Sequence, residues 1–412
     1  MTVPVSIVVV SRARPALLLR CLTGLAQMDY ATFEIVVVAC AQGVAAVSAS
    51  PFADLVKLQS FDAPNIAAAR NAGIGLAAGQ VIAFVDDDAV PAPRWLSYLV
   101  DAMTRLNADA AGGEVLGRNG ISVQWGARVV DAQGVSHAYA APDRAPFILQ
   151  PDPGFAARTE GTNMAVRRDV LLALGGFDAA YRFFLDETDL NWRLSLAGYR
   201  TAFVPDARVH HSFAAGPYRR SDRAPTDLEQ LGASQAVFLR KHADQADRDG
   251  GWRRFYQDQR HRVLRAMQKG GIGAGDVARL LRGLRRGYRD GQTREIGVAA
   301  AFDDPPPAFK PVTPAMAGHR VFATRPSGAA TAHAAARDWV SKGGVSSLFI
   351  LSRSALYHHV VFSDDGVWVQ WGGLWGRSDR AGPLIQPFRF KSRVEHETRR
   401  VLTDRGDPVA RQ

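Results

Sequence analysis

The sequence predicts an α/β fold in its first half, a mostly parallel sheet covered by helices, and three observations carry that expectation. The runs "VSIVVV" (Val5–Val10) and "FEIVVVA" (Phe33–Ala39) are continuous, apolar and rich in β-branched residues, the pattern of strands buried on both faces. Between them, "RPALLLRCLTGLAQ" spaces Leu17, Leu18, Cys21, Leu22 and Leu25 at helical intervals, with Pro15 where a helix begins. Farther along, apolar strands and helical patterns keep alternating, which is the order of βαβ units.

The next unit follows the same logic. "NIAAARNAGIGLAAG" (Asn65–Gly79) reads as a helix of small residues stopped by glycine, feeding a third strand over Val81–Val85. That strand runs straight into Asp86, Asp87 and Asp88. Three adjacent carboxylates repel one another unless cations or hydrogen-bond donors neutralise them. A solvated acidic turn is the bland reading of such a run. Its place at the carboxyl end of a parallel strand, where open α/β sheets bind ligands, favours a site instead.

A second cluster spans Gly161–Phe213. Within it, "ETDLNWRLSLAG" is an amphipathic helix with Leu190, Leu194 and Ala197 inward and Gly198 as its stop, and Asp186, Glu187 and Asp189 crowd its first turn. Acids there serve either as partners of the helix dipole or as a general base. The aromatic run "YRFFL" before Glu187 is expected to desolvate it, raising its pKa and making it the better base. His210 and His211 end a further strand, "ARVHH". Carboxylates with one imidazole suit Mn²⁺ or Mg²⁺, provided the two strand ends converge.

Length and composition bound the rest. At 412 residues the chain has room for two or three domains. With 47% hydrophobic and 22% charged residues it has the composition of a soluble globular protein, and two cysteines, Cys21 and Cys40, exclude a disulfide framework. Val3–Val10 is too short for a signal sequence, and no run reaches about 18 apolar residues, so neither a signal peptide nor a spanning helix is expected. A reducing cytoplasm is the simplest home. A net charge of +10 points to polyanionic partners: nucleic acid, anionic lipid or phosphorylated ligands.

The second half divides by composition. Residues 216–300 are basic and helical. "GDVARLLRGLRRGYRDG" sets Val277, Leu280, Leu281, Leu284 and Tyr288 on one face, and "GWRRFYQDQRHRVLRAM" mixes Trp252, Phe255 and Tyr256 with arginines. Such helices either pack on the first domain or lie peripherally on an anionic membrane. Residues 301–318 form a proline-rich linker. Residues 319–412 read as a small α/β module: strand "HRVFAT", helix "AATAHAAARDWVSKG", strand "SSLFILS", and a hairpin turning at Asp364, Asp365 and Gly366. Trp368, Trp371 and Trp375 there serve the module's core or stack on sugar rings.

Taken together, "VSIVVVSRARPALLLRCLTGL", "NIAAARNAGIGLAAGQVIAFVDDDAVPAPRWL", "GTNMAVRRDVLLALGGFD" and "DETDLNWRLSLAGYR…ARVHH" closely resemble the bacterial glycosyltransferase family 2 over roughly Thr2–Phe213. Four motifs recur in the family's order and at its separations. The resemblance implies the GT-A fold, a Rossmann-like, mostly parallel sheet, in residues 1–215. It implies an inverting transferase that moves a sugar from a nucleotide-sugar donor to the hydroxyl of a glycan or lipid-linked acceptor, in envelope or exported polysaccharide assembly. Asp86 and Asp88 match the family's paired aspartates, with Asp88 the direct metal ligand and Asp86 or Asp87 nearer the donor ribose. His211 matches the metal or diphosphate ligand, with its neighbour His210 as the alternative. Glu187 matches the base position, with Asp186 and Asp189 as alternatives.

The nucleobase is expected near Ser11, Arg12 and Arg14, with Arg70 close by, and Gly161, Thr162 and Asn163 would border the acceptor cleft. Trp192 and Arg193 read as core and helix-surface residues. One departure stands out: where the family places a base-reading aspartate, this chain has Ala39. That departure motivates a rival reading, a non-catalytic carbohydrate- or membrane-binding scaffold on the same fold. No nucleic acid is expected as a partner, and no feature of the sequence sets the oligomeric state.

Overall fold

The structure is a computed structural model that describes residues 2–212, 215–302, 305–313, 317–379 and 382–407. Phe213, which closes the second motif cluster, and Asp303, Asp304 and residues 314–316 of the linker lie outside the described residues, as do 380, 381 and 408–412 of the last module.

The chain begins with β1 (Val5–Ser11), α1 (Pro15–Leu25), β2 (Phe33–Ala39), α2 (Ala41–Ser48), β3 (Val56–Ser60), α3 (Ile66–Leu76) and β4 (Val81–Asp86). Strands β3, β2, β1 and β4 lie side by side in that order, all parallel. Every residue of β1 and β2 is buried, as their continuous β-branched runs require. Two of these first seven elements escaped the sequence. "VKLQS" forms β3, so the strand ending at the aspartates is the fourth and not the third. Only Val56 of β3 is buried, because it is the sheet's edge and carries no continuous apolar signal. α2 is short and alanine-rich and was equally silent. α3 starts where the Asn65 side chain accepts the Ala68 N–H, and it ends at Leu76 rather than Gly79.

The register brings Ser11 beside Ala39, Ala39 beside Ser60 and Val10 beside Asp86, so the carboxyl ends of four strands share one edge.

Next come β5 (Ala89–Pro91), α4 (Trp95–Arg105), β6 (Ala110–Leu116), β7 (Val123–Trp125), β8 (Arg128–Asp131), β9 (Ser136–Ala138), β10 (Phe147–Ile148), β11 (Phe155–Arg158), β12 (Met164–Arg167), α5 (Arg168–Ala173), α6 (Asp186–Leu196) and β13 (Thr201–His211). β12 enters antiparallel between β4 and β6, and β13 runs parallel to β6 on its far side. β5 pairs antiparallel with β13, which turns the chain after the aspartates back across the histidine strand. Leu18, Leu22, Phe33 and Trp95 fill one face of the sheet, and Phe84, Met164, Phe177 and Leu190 fill the other.

The basic helices are α7 (Glu229–His242), α8 (Gln245–Gln268) and α9 (Ala274–Gly291). Their apolar faces meet one another. Leu280 and Leu284 are buried with Leu228, Leu231 and Val263, and Trp252 stacks on Tyr288 with ring centroids 3.9 Å apart. Gly287 lets α9 touch α7, since a Cβ there would lie 1.8 Å from the Glu229 carbonyl oxygen. Packing therefore accounts for the stripe that the sequence left open between domain and membrane. Among the described residues, no helix is long and apolar enough to cross a membrane.

The linker is tied down rather than loose. The Val312 N–H donates to the Phe33 carbonyl, and the Lys310 N–H donates to buried Glu34. Beyond it, β14 (His319–Thr324), α10 (Ala329–Ser341), β15 (Val345–Ser352), β16 (His359–Phe362), β17 (Val367–Gly373) and α11 (Phe390–Arg405) form a four-stranded sheet in the order β14-β15-β17-β16. The hairpin at Asp364–Gly366 is present. α11, which has no clean apolar stripe, was not foreseen. Trp368 is fully buried, whereas Trp371 and Trp375 are partly exposed.

His319 of β14 makes this module acid-sensitive. Its ring is buried against the Gly406 carbonyl and the Ser347 hydroxyl, and burial, reinforced by Arg405, pushes its pKa down to about 4. The folded pKa lies below the unfolded one, so the folded state binds fewer protons. The stability contribution is full above pH ~6.5 and is lost as pH falls toward 4, by about 3 kcal/mol at most. His319→Gln is expected to lose less thermal stability than the wild type between pH 7 and 4.5, and identical losses would refute the assignment.

Candidate functional site

The aspartates and His211 meet because β4 turns into β5 and β5 pairs with β13. Ala89 lies opposite His211, and the Ser212 N–H donates to the Asp88 carbonyl at 2.9 Å. The His211 Nε2 atom then sits 3.0 Å from Asp88 Oδ1. One oxygen of Asp86, one of Asp88 and one ring nitrogen of His211 lie within 4.8 Å of one another. Two carboxylates and an imidazole at that spacing fit a hard or borderline divalent cation such as Mn²⁺ or Mg²⁺. The Asp86 side chain is 27% exposed and Asp88 is buried. His210 points to the other side of β13, its ring 4.7 Å from that of Trp368, and burial pushes its pKa down to about 3. Neither ring nitrogen of His210 has a hydrogen-bond partner among the described residues. The alternation of a β-strand separates the two histidines, which removes His210 as the ligand candidate.

Asp87 has a different job from the one expected beside a ribose. It is buried, it accepts from the Ser11 hydroxyl at 2.7 Å, and it pairs with Arg14 Nη2 at 2.5 Å. Burial outweighs these partners and lifts its pKa to about 7. Ser11 and Arg14 are thus engaged with the acidic turn rather than presented to a base. Arg14 also reaches Asp88 Oδ2 at 3.2 Å, and Arg219, which the sequence reading missed, reaches the same oxygen at 3.5 Å. Arg12 is exposed at the strand edge.

Arg70 joins the two motif clusters. Buried on α3, it donates to Asp186, to Asp86 at 3.1 Å and to the Gly161 carbonyl at 3.2 Å. The expectation that Arg70 stands by the nucleobase gives way to this carboxylate clamp. Gly161 is required for it, since a Cβ there would lie 2.6 Å from an Arg70 guanidinium nitrogen. Thr162 accepts the Asp86 N–H at 3.3 Å, while Asn163 is fully buried and bonded to Trp95, Glu114 and Ala207. Asn163 therefore braces the sheet and does not line a cleft. Removing Arg70 leaves a buried carboxylate uncompensated, so Arg70→Ala is expected to destabilise the protein by about 3–5 kcal/mol. A denaturation midpoint unchanged from wild type would refute the clamp.

Phe184 and Leu185 both adopt positive φ, 74° and 66°, immediately before Asp186. Non-glycine residues hold such angles only where the surroundings enforce them, and such sites concentrate where function needs a fixed geometry. The three acids of this turn separate sharply. Asp186 is buried against Arg70, and burial raises its pKa. Glu187 has a side chain 15% exposed, with Arg158 Nη2 at 3.6 Å. Asp189 is fully buried among Arg193 at 2.8 Å, Lys241 at 2.8 Å and His242 at 2.8 Å. His242, Arg193 and Lys241 overcome its burial and hold its pKa well below the usual carboxylate range. With its acceptors committed to that network, Asp189 is removed from the base candidates. Trp192 packs in the core and Arg193 serves the Asp189 network.

At the edge where a base-reading acid was absent, Ala39 is buried and Cys40 caps α2, with its sulfur accepting the Ala13 N–H at 3.2 Å. The end of the neighbouring, unforeseen strand supplies a carboxylate instead: Asp62 accepts the Ala41 N–H at 3.1 Å. Its only sequence signal was an aspartate after a weak strand.

The chain is similar to several known proteins. O-antigen biosynthesis protein RfbC of Myxococcus xanthus is 28% identical over 305 residues, 67% of this chain and 23% of that protein. N-acetylglucosaminyl-diphospho-decaprenol L-rhamnosyltransferase of Mycobacterium tuberculosis is 29% identical over 213 residues, 44% of this chain and 66% of that one. The chain thus spans between about a quarter and two thirds of these curated relatives. The crystal structure of GalNAc-T7 with UDP, GalNAc and Mn²⁺ aligns over 58% of this chain and 48% of its own, with a TM-score of 0.44 and 16% identity. The family model described as glycosyltransferase-like family 2 matches residues 3–223, more than half of the 412, and the chain belongs to that family.

Proposed function

We propose that the protein is a divalent-metal-dependent, inverting glycosyltransferase that moves a sugar from a nucleotide-sugar donor to a hydroxyl of a glycan or lipid-linked acceptor. The observation that carries the reading is the convergence of Asp86, Asp88 and His211 at one sheet edge, joined through Arg70 to the acidic turn that bears Glu187. Asp86, Asp88 and His211 are the residues that would hold the cation. When bound, such a cation offsets the negative charge that grows on a departing diphosphate. Glu187 is the acid of its turn that is not clamped by Arg70 and keeps some exposure, 15%, beside Arg158 at 3.6 Å, and it takes the acceptor's proton during attack on the face opposite the leaving group. Asp62, held by the Ala41 N–H two residues beyond Ala39, is the candidate reader of the nucleobase.

The relatives named for O-antigen biosynthesis and for transfer onto a diphospho-decaprenol support an acceptor in envelope polysaccharide assembly, carried on a lipid diphosphate. That acceptor would bring the protein to the inner face of the cytoplasmic membrane. Residues 1–215 would be the catalytic domain, and 319–412 a module that braces the histidine strand through Trp368 and through Asp404, which pairs with Arg208 at 3.0 Å.

The test is a nucleotide-release assay with purified protein, a panel of nucleotide sugars and Mn²⁺ or Mg²⁺, read in parallel by thermal shift. Release of one nucleoside diphosphate, or stabilisation by it, supports the reading. No release and no stabilisation by any nucleotide overturns it in favour of the scaffold that Ala39 suggests.

A further inference from the structure

The basic helix α8 borders a cavity of ≈ 700 Å³ that the donor chemistry does not use. Arg262, Arg265 and Lys269 fall at i, i+3 and i+7 and therefore share one stripe of the helix, facing the loop at 219–224, from which Arg223 joins the lining. Two acids, Asp222 and Asp258, also line the cavity, but Asp222 is already paired with Arg220 at 3.3 Å and accepts the Ala224 N–H. Among the described residues, no carboxylate lies within ion-pair distance of Arg262, Arg265 or Lys269. Although Arg262 is exposed, crowding by the protein partly desolvates its guanidinium, and the nearby charges of Arg219 and Arg223 add to that in lowering its proton affinity. Arg262, Arg265 and Lys269 thus gather three like charges along one stripe of the lining, an electrostatic cost that an oligoanion in the cavity would relieve.

The loop ties this cavity to both halves of the site. Arg219 reaches Asp88 at 3.5 Å. Tyr218 stacks on Phe183, three residues before Asp186, with ring centroids 4.0 Å apart. Arg220 donates to the carbonyl of Gly271, a lining residue three positions beyond α8, at 2.9 Å, which ties the loop to that side of the cavity. A ligand held by Arg262 and Arg265 is therefore anchored to the segment that lies between the candidate metal ligands and the candidate base.

We infer that this cavity binds the diphosphate of the acceptor, separately from the donor diphosphate at Asp88. Two arginines present paired N–H donors to phosphate oxygens, and Lys269 adds a point charge. The assignment of the diphosphate to an acceptor rests on the glycosyl-transfer reading, but the binding itself does not.

The experiment is isothermal titration of the full chain in EDTA with inorganic pyrophosphate and with farnesyl diphosphate. The variants are Arg262→Ser with Arg265→Ser, at exposed helix positions, and Asp88→Ala. The expected result is metal-independent binding of both compounds, with farnesyl diphosphate at least as tight. Affinity falls at least tenfold in the double arginine variant and is unchanged in Asp88→Ala. Mn²⁺-dependent nucleotide binding by the arginine variant stays at the wild-type level. Absence of binding in EDTA, retention of binding by the arginine variant, or exclusion of farnesyl diphosphate while pyrophosphate binds would each overturn the inference. Binding through Arg262 and Arg265 in a protein that releases no nucleotide would leave this site standing and defeat the transfer reading alone.

Discussion

Asp88→Ala is expected to abolish the divalent-cation dependence of nucleotide binding and to lower turnover by roughly a thousandfold, the upper end of the range for losing one electrostatic contact to a developing charge. The reasoning is geometric. Asp88 is the aspartate with a buried carboxylate that touches His211, and it also faces Arg14 and Arg219, so an imidazole and two guanidinium groups converge on it. Removing its charge deletes a ligand and leaves Arg14 and Arg219 repelling any cation nearby. Asp88→Asn separates these effects, because it keeps the shape and an acceptor for the arginines while losing the charge. The measurement is nucleoside diphosphate affinity with Mn²⁺ and with EDTA. Wild-type Mn²⁺-dependent affinity in Asp88→Ala would remove the metal from this cluster.

Glu187→Gln is expected to lose about 10²- to 10⁴-fold in turnover while donor affinity stays within a factor of a few, because a general base contributes that much to the chemical step and nothing to holding the donor. Glutamine preserves the length and the contact with Arg158, so the variant isolates proton acceptance. The neighbouring acids cannot be tested as cleanly. Asp186→Asn also breaks the Arg70 clamp that reaches Asp86, and is expected to lose donor binding and turnover together. Asp189→Asn disturbs a buried network with Lys241 and His242 and acts on stability. Undiminished turnover in Glu187→Gln would move the base to Asp186.

What was legible in the sequence follows from the range of the forces involved. The strands at Val5, Phe33 and Val81 announced themselves because a strand buried on both faces must be apolar at every position, and α1 did so because one helical stripe must face the sheet. The edge strand β3 and helix α11 were silent because partial burial imposes no such pattern. The aspartate cluster was legible for the same local reason, since adjacent like charges need a partner wherever they sit.

Which partner each acid received was decided only in three dimensions. Asp87, Asp88 and Asp86 are neighbours in sequence, yet one is sealed against Ser11 and Arg14, one meets His211, and one stays partly exposed beside Arg70. His210 and His211 part because successive side chains of a strand face opposite ways, and only the pairing of β5 with β13 decided which of the two looks at the aspartates. Arg70 was expected close to the nucleobase, and it proved to be a clamp because Gly161, in the turn before β12, and Asp186 of α6 arrive from ninety and more residues away. The sequence by itself determined the central parallel strands β1, β2 and β4, the family and the acids from which a site is built. Tertiary structure alone decided their separate roles, because burial and long-range pairing set the charge, exposure and partners of each.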